Sequence, residues 1–270
     1  MKTLITGGAG FIGKEVAKYL SDVKVFDLVN GGGSILDPYQ LREAIKGCNR
    51  VIHLAAMLGV KKTDGNPLQC LNVNIQGTIN VLDACLSERV DKIVFVSSSE
   101  VYGKQEHFPI TEEAPLNPKS VYAVSKIAGE EYVKSYGIPY NIVRLFNVYG
   151  ENQRQDFVIP RFMHMHPITV YGDGSQIRCF CHVSDAAKGI VRALTSPVTG
   201  EIFNIGNTEE TSIRELAHLI SNEVDYIPYE DSDRPEEREI TKRIPSIDKA
   251  RQMLDYAPFF TLKEGLCLKS

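Results

Sequence analysis

Short apolar runs alternate with stretches of helical period through the first half of the chain. Lys2 to Thr6 reads as a strand, followed by a glycine turn and a helical stretch from Phe11 to Leu20. Val23 to Asp27 reads as a second strand, Leu41 to Lys46 as a helix and Arg50 to Ala55 as a buried strand. Leu71 to Leu86 carries a helical period, and Lys92 to Ser97 is another apolar run. Val121 to Tyr136 reads as a helix and Tyr140 to Phe146 as a strand. Strands separated by helices predict a parallel sheet covered on both faces.

The second half has a different texture. Gly150 to Gly174 gathers His, Pro and Gly into loop-like clusters. Glu201 to Ile205 reads as one more strand, and Thr211 to Ser221 as a helix capped by Thr211 or Ser212. Asp225 to Pro245 is charged and irregular. The predicted architecture is α/β. A doubly wound parallel sheet spans residues 1–150, with 179–205 returning to it, and 151–178 and 206–270 form a small α/β lobe.

Composition narrows the function classes. The 270 residues are 43% hydrophobic and 24% charged, as in ordinary globular proteins. A net charge of -4 gives no basic footprint for nucleic acid. No apolar run reaches the length that spans a bilayer, and no signal-peptide core follows Met1. Cys48, Cys70, Cys85, Cys179, Cys181 and Cys267 are scattered, which suits reduced thiols in a cytoplasm.

The glycine turn Thr6-Gly7-Gly8-Ala9-Gly10-Phe11-Ile12-Gly13 lies between a predicted strand and a predicted helix. Glycines there permit a tight turn and close approach of a pyrophosphate, and the helix start adds N–H donors. Asp27 ends the second strand, about 20 residues on, where an acid can bind a ribose 2′-hydroxyl and repel a 2′-phosphate. That pairing favours NAD over NADP. Either feature alone reads equally as an ordinary turn.

Tyr122 and Lys126 stand four residues apart, on one face of a predicted helix. A cation beside a phenol favours the phenolate, so this spacing predicts a lowered tyrosine pKa and a proton-exchanging role. The serine cluster Ser97-Ser98-Ser99, followed by Glu100, closes a strand upstream. Strand C-terminal ends line the ligand crevice of open parallel sheets.

Taken in order, several segments resemble the nucleotide-sugar epimerase/dehydratase family of extended short-chain dehydrogenases. They are the glycine turn, His53 to Ala56, Ser98 to Gly103, Tyr122 to Lys126 and Arg144 to Gly150. Thr169 to Ser175, Asn204 to Asn207 and Pro245 to Ala250 extend the resemblance over nearly the whole chain. It implies a Rossmann-type sheet, NAD as cofactor, a nucleotide-sugar substrate and a homodimer built on the helices near 71–86 and 121–136. It also implies roles. Gly7, Gly10, Phe11 and Ile12 would hold the pyrophosphate and Asp27 the adenosine ribose. Leu54, Ala55, Ala56 and Asn74 would line the cofactor, with Phe146 by the nicotinamide. Tyr122 would be the acid/base, Lys126 would hold the nicotinamide ribose, and Ser98 would bond the substrate. Asn147, Arg178 and Arg234 would meet the nucleotide diphosphate, a role that guanidinium forks suit.

The chain also departs from the family pattern. The segment after Asp27 is short, so Ser34, followed by Ile35, falls where family members place an acid against adenine. This puts the third strand and the adenine contact in question. Cys179 stands where Asp is common. Neither Cys179-Phe180-Cys181-His182 nor Met163-His164-Met165-His166 has the spacing of a zinc site, so no metal is expected.

In the family chemistry the sugar is oxidised to a 4-keto intermediate. Ser99-Glu100 lacks the Asp-Glu pair of 4,6-dehydratases, which disfavours dehydration. Glu100 leaves room for the Ser-Glu arrangement of uronate decarboxylases. The Tyr-Ala-Val-Ser-Lys and Phe-Asn-Val-Tyr-Gly segments favour a 4-epimerase, with decarboxylation as the alternative. A module that binds NAD without turnover is a third reading, against which Ser98, Tyr122 and Lys126 speak.

Overall fold

The computed structural model of the protein describes residues 1–29, 32–231 and 239–267. Six parallel strands form the central sheet: β1 (Thr3–Thr6), β2 (Val23–Phe26), β3 (Arg50–His53), β4 (Lys92–Ser98), β5 (Tyr140–Leu145) and a late strand, Glu201–Ile205. Counting the short strands between, β6 (Val148–Tyr149), β7 (Ile168–Tyr171), β8 (Ile177–Cys179) and β9 (Cys181–His182), that late strand is β10. The sheet order is β10-β5-β4-β3-β1-β2, a Rossmann-like arrangement.

Alternation along the strands sends side chains into two separate cores. Ile5, Ile52, Val94, Val96, Val143, Phe203 and Ile205 face one side. There they meet α1 (Phe11–Ala17) through Val16. Leu4, Phe26, Val51, Ile93, Phe95 and Ile142 face the other side, against α2 (Pro38–Ile45). Beyond α3 (Val60–Gly65) and α4 (Pro67–Leu71), that second face is completed by α5 (Gly77–Ser87) and α6 (Val121–Ser135). After α7 (Val158–Met163), the first face is completed by α8 (Val183–Thr195), which supplies Ala186, Ala187, Ile190, Ala193 and Leu194. A period of two along each strand is what a sheet covered on both faces requires.

Three local departures from the sequence reading have physical causes. The helix read over Leu71 to Leu86 is composite: α4 passes through a π-helical turn at Asn72–Gln76 into α5. The extra residue of that turn carries Asn74 inward, where its side chain makes four contacts described below. The strand read to Ala55 ends at His53, because Leu54 to Ala55 must pass against the glycine turn; a Cβ on Gly7 (φ +73°) would lie 2.7 Å from the Ala55 nitrogen. β2 is the sheet edge among the described residues, so the strand that lies outside it in the usual doubly wound order is absent there.

The remaining strands are short and paired over long sequence distances. β11 (Glu210–Ser212), β8 and β13 (Lys242–Arg243) form one sheet. β12 (Val224–Ile227) pairs with β7, and β6 with β9. The stretch read as irregular from Asp225 to Pro245 therefore contains two strands. Between β11 and β12, α9 (Ile213–Ile220) starts at Ser212 in a capping box with Glu215, while Thr211 belongs to β11. α10 (Asp248–Leu254) packs on the central sheet, and α11 (Leu262–Gly265) follows it. Asp185, fully buried in the first turn of α8, accepts from the backbone of Phe259 and Phe260 and ties the C-terminal segment down. No helix among the described residues is long and apolar enough to cross a membrane.

Candidate active site

The glycine turn meets the fit required of a dinucleotide cradle. Gly13 is demanded by the fold, since a Cβ there would strike Gly8 Cα at 2.6 Å. Gly10 is different: a Cβ would meet only the Gly7 carbonyl oxygen, at 3.1 Å. Its outer side is open, as close approach of a ligand to the backbone requires. Gly10 caps α1 with no side-chain hydrogen bond, so the first-turn N–H groups, Phe11 and Ile12 among them, have no intrahelical acceptor. Asp27 is held in place from two sides, accepting from Ala9 N (3.0 Å) and Val29 N (3.0 Å). Its carboxylate is thereby fixed beside the turn, where a ribose diol can share it. Leu54, Ala55 and Ala56 are half-buried at the rim of the same loop.

Beneath this rim, His53 bridges Thr6 Oγ1 (2.7 Å) and Thr78 Oγ1 (3.0 Å). Burial, and then the charge of Lys126, hold its pKa down to about 3, so the ring is a neutral crosslink. Asn74 is buried and fully engaged. It accepts from Met57 N (2.7 Å) and donates to Met57 O (3.0 Å), Ser125 Oγ (2.9 Å) and Cys70 Sγ (3.5 Å). These bonds clip the loop after β3 to α6.

The reacting groups gather at the C-terminal end of β4 and the start of α6. Ser120 caps α6 by accepting from Ala123 N and also donates to Glu100 Oε2 (3.1 Å). Two residues on, α6 presents Tyr122, and a turn later Lys126. The Lys126 ammonium donates to Val96 O (2.8 Å) and lies 4.9 Å from the Phe95 ring centroid and 5.8 Å from that of Tyr122. Burial pulls the Lys126 pKa down to about 8, while Glu130 opposes that shift.

The predicted lowering of the Tyr122 pKa is not what this arrangement gives. Burial raises it, the negative charge of Glu100 raises it further, and hydrogen bonding with Ser98 lowers it only in part. With no ligand present, Tyr122 keeps its proton. Ser98, Glu100, Tyr122 and Lys126 are thus brought together, as the pattern of the sequence requires.

One arginine of the small sheets, Arg243, lies within electrostatic reach of Glu100, and a second, Arg178, is paired with it. The β8–β13 pairing sets Arg243 opposite Arg178. Arg178 donates to Glu239 Oε1 (2.6 Å) and to the Ile177 carbonyl (2.9 Å), and burial, then the charge of Arg243, push its pKa down to about 10. Arg243 is lowered by burial as well, opposed by Glu100 and Glu239, and its Nε–H is buried with no hydrogen-bond partner among the described residues. A buried N–H left unpaired costs about 1–3 kcal/mol, which marks a donor available to a ligand. The sequence reading passed over Arg243. Its signal was position: it stands two residues before the Pro245 to Ala250 segment that carries part of the resemblance.

Other predicted residues lie elsewhere or are engaged. Phe146 is fully buried, tilted against Tyr102 at 5.9 Å, so it presents no surface to a nicotinamide in this arrangement. Ile35 is buried in the core against Gly77, and Ser34 Oγ accepts from Leu36 N (3.2 Å). Asn147, in the left-handed region (φ +39°), spends its amide nitrogen on Cys179 O (3.2 Å). Arg234 lies outside the described residues. Cys179 and Cys181 are buried, and His182 caps α8.

Comparison with known proteins agrees with this geometry. The model of the NAD dependent epimerase/dehydratase family matches residues 3–206. A Methanocaldococcus jannaschii protein provisionally named UDP-glucose 4-epimerase is 37% identical, with 97% of this chain and 95% of the relative covered. A UDP-N-acetyl-alpha-D-glucosaminuronate decarboxylase of Bacillus cytotoxicus is 35% identical, covering 98% and 95%. The alignment with the first spans 294 positions against 270 residues here, so that relative carries segments this chain lacks. Among solved structures, the UDP-glucose 4-epimerase of Thermotoga maritima with UDP-glucose has a TM-score of 0.91 at 28% identity, covering 99% of this chain and 97% of that one. Several related structures hold NAD. From the glycine cradle, the Ser-Tyr-Lys group and these matches together, the chain belongs to the NAD dependent epimerase/dehydratase family, with NAD as its cofactor.

Proposed function

We propose that this protein oxidises C4 of a nucleotide-linked sugar that bears a carboxylate on C5, and that loss of that carboxylate as CO2 follows. The observation that carries the reading is the unpaired buried Nε–H of Arg243, within electrostatic reach of Glu100 beside Tyr122. A guanidinium matches a carboxylate in shape and charge. Oxidation at C4 makes the C6 carboxylate β to a ketone, the arrangement from which CO2 leaves readily.

The residues divide the work. Tyr122 takes the C4 hydroxyl proton, and Ser98 bonds the same oxygen. Lys126 favours the developing phenolate and holds the nicotinamide ribose. Bound NAD would take the C4 hydride and give it back to C4 once CO2 has left and C5 has gained a proton, so the pentose forms with no net oxidation. Arg243 holds the carboxylate until it leaves, and Glu100 places a negative charge beside it that favours its departure. Arg178, with Arg234 and Asn147, meets the diphosphate, while Gly7, Gly10, Phe11, Ile12 and Asp27 hold the dinucleotide.

A 4-epimerase is the second reading, supported by the Tyr122 to Lys126 and Phe146 to Gly150 segments and by the M. jannaschii relative. The sequence alone ranks it first; Arg243 reverses that order. We also propose a homodimer through α4, α5 and α6, whose outer faces expose Leu68, Val124 and Tyr132. The test is incubation with NAD and either UDP-glucuronate, UDP-N-acetylglucosaminuronate or UDP-glucose, with products resolved by NMR. A UDP-pentose with CO2 release from a uronate is expected. Epimers without CO2 would defeat the decarboxylase reading, and no turnover on any of the three would favour a silent NAD-binding module.

A further inference from the structure

Lys126 sits in a poor place for a charge. It is 4% exposed, its ammonium has a single hydrogen-bond partner among the described residues, a carbonyl, and it lies over the faces of Phe95 and Tyr122. Burial of this kind drives a lysine toward its neutral amine, which could neither favour a phenolate nor donate fully to a ribose.

One turn along α6 lies Glu130, with no exposed surface at all. Residues four apart share a helix face. The Glu130 carboxylate is gripped by Arg144 through Nε (3.0 Å) and Nη2 (2.6 Å), and by Ser97 Oγ (2.6 Å). Arg144 is itself held by Tyr102 OH (2.9 Å) and the Glu112 carbonyl (3.1 Å), and Tyr102 OH reaches Asn204 (2.7 Å). Ser97 adjoins Ser98 on β4, so the grip joins the strand and the helix that carry the reacting groups.

We propose that Glu130 is a positioning residue that keeps Lys126 in its ammonium form, its charge aimed along α6 by the clamp of Arg144 and Ser97. The other titratable groups around Lys126 cannot do this. From the π-turn side Cys70 is a buried thiol, from β3 His53 is neutral, on α6 itself Tyr122 keeps its proton, and Glu100 acts on Tyr122 and Arg243. Glu130 is the foremost influence holding the Lys126 proton on, against a pKa drawn down to about 8 by burial. The same carboxylate is shared with Arg144, so the two cations compete for it.

The proposal rests on Lys126 serving the site described above, but its test reads Lys126 without substrate. Lysine side chains labelled with 13C at Cε are titrated by NMR, and the Lys126 signal is assigned by its loss in Lys126→Met. Glu130→Gln should move the Lys126 midpoint about one pH unit toward acid. NAD affinity at pH 8, measured by calorimetry, should fall with it by about fivefold. Glu130→Asp, which keeps the charge, should restore most of both. Arg144→Gln, which removes the competing cation and keeps a donor, should move Lys126 the opposite way, toward alkali. A Lys126 midpoint unmoved in Glu130→Gln, or moved acidward in Arg144→Gln, overturns the proposal and leaves Glu130 a structural residue. If Glu130→Gln does not fold, the Arg144→Gln and Glu130→Asp titrations decide it by the same signs. Absence of decarboxylation would not touch any of these results.

Discussion

The six-stranded sheet and the small sheets of the later chain contribute to one site by different means. In the large sheet each functional group sits at the end of a locally specified element: the turn after β1, the end of β4, the start of α6. In the small sheets the strands are two to four residues long, and Arg178 meets Arg243 only because β8 pairs with a strand more than sixty positions away. On the proposed reading the first region supplies the chemistry and the second supplies recognition, with its groups held by strand pairings between distant segments.

That contrast can be broken at several points. The largest expected effect is at Tyr122. Tyr122→Phe should lower turnover on every substrate by about 10³-fold while NAD binding by calorimetry is unchanged. Arg243→Met should instead raise KM for an acidic sugar nucleotide by about 30-fold, near 2 kcal/mol, and spare NAD binding. Equal losses on acidic and neutral substrates would show that Arg243 serves the diphosphate and not the sugar.

The glycine turn offers a smaller and sharper contrast within the large sheet. Gly13→Ala should destabilise the protein by about 1–3 kcal/mol in urea unfolding, because its Cβ has no room. Gly10→Ala should change stability by less than about 0.5 kcal/mol yet weaken NAD binding about tenfold, because its open side is where the ligand comes. If both act only on stability, the turn is a packing feature alone. The smallest effect is expected in the second region: Ser212→Ala removes the capping box of α9 and should cost about 1 kcal/mol, with kcat unchanged.

Much of the first region was legible from the chain. Every strand of the large sheet falls within or beside an apolar run, because a strand buried on both faces needs continuous hydrophobic residues whatever its neighbours are. The Tyr122–Lys126 spacing and the Gly7 to Gly13 turn were equally plain, since helix period and glycine freedom are local properties. What the chain hid was environment. Asn74 is turned inward by a π-turn, Phe146 is enclosed by Tyr102, and the Tyr122 pKa is raised where spacing argued for the reverse.

By itself, then, the sequence determined the alternation of strand and helix, the glycine turn and the Tyr122–Lys126 spacing, because each rests on residues within a few positions of one another. Only the tertiary structure decided that Glu100 acts on Tyr122, that Arg144 grips Glu130, and that Arg243 lies opposite Arg178 with a donor unpaired among the described residues. Those relations depend on burial and on charges brought together from distant segments, and neither is a property of any stretch of chain alone.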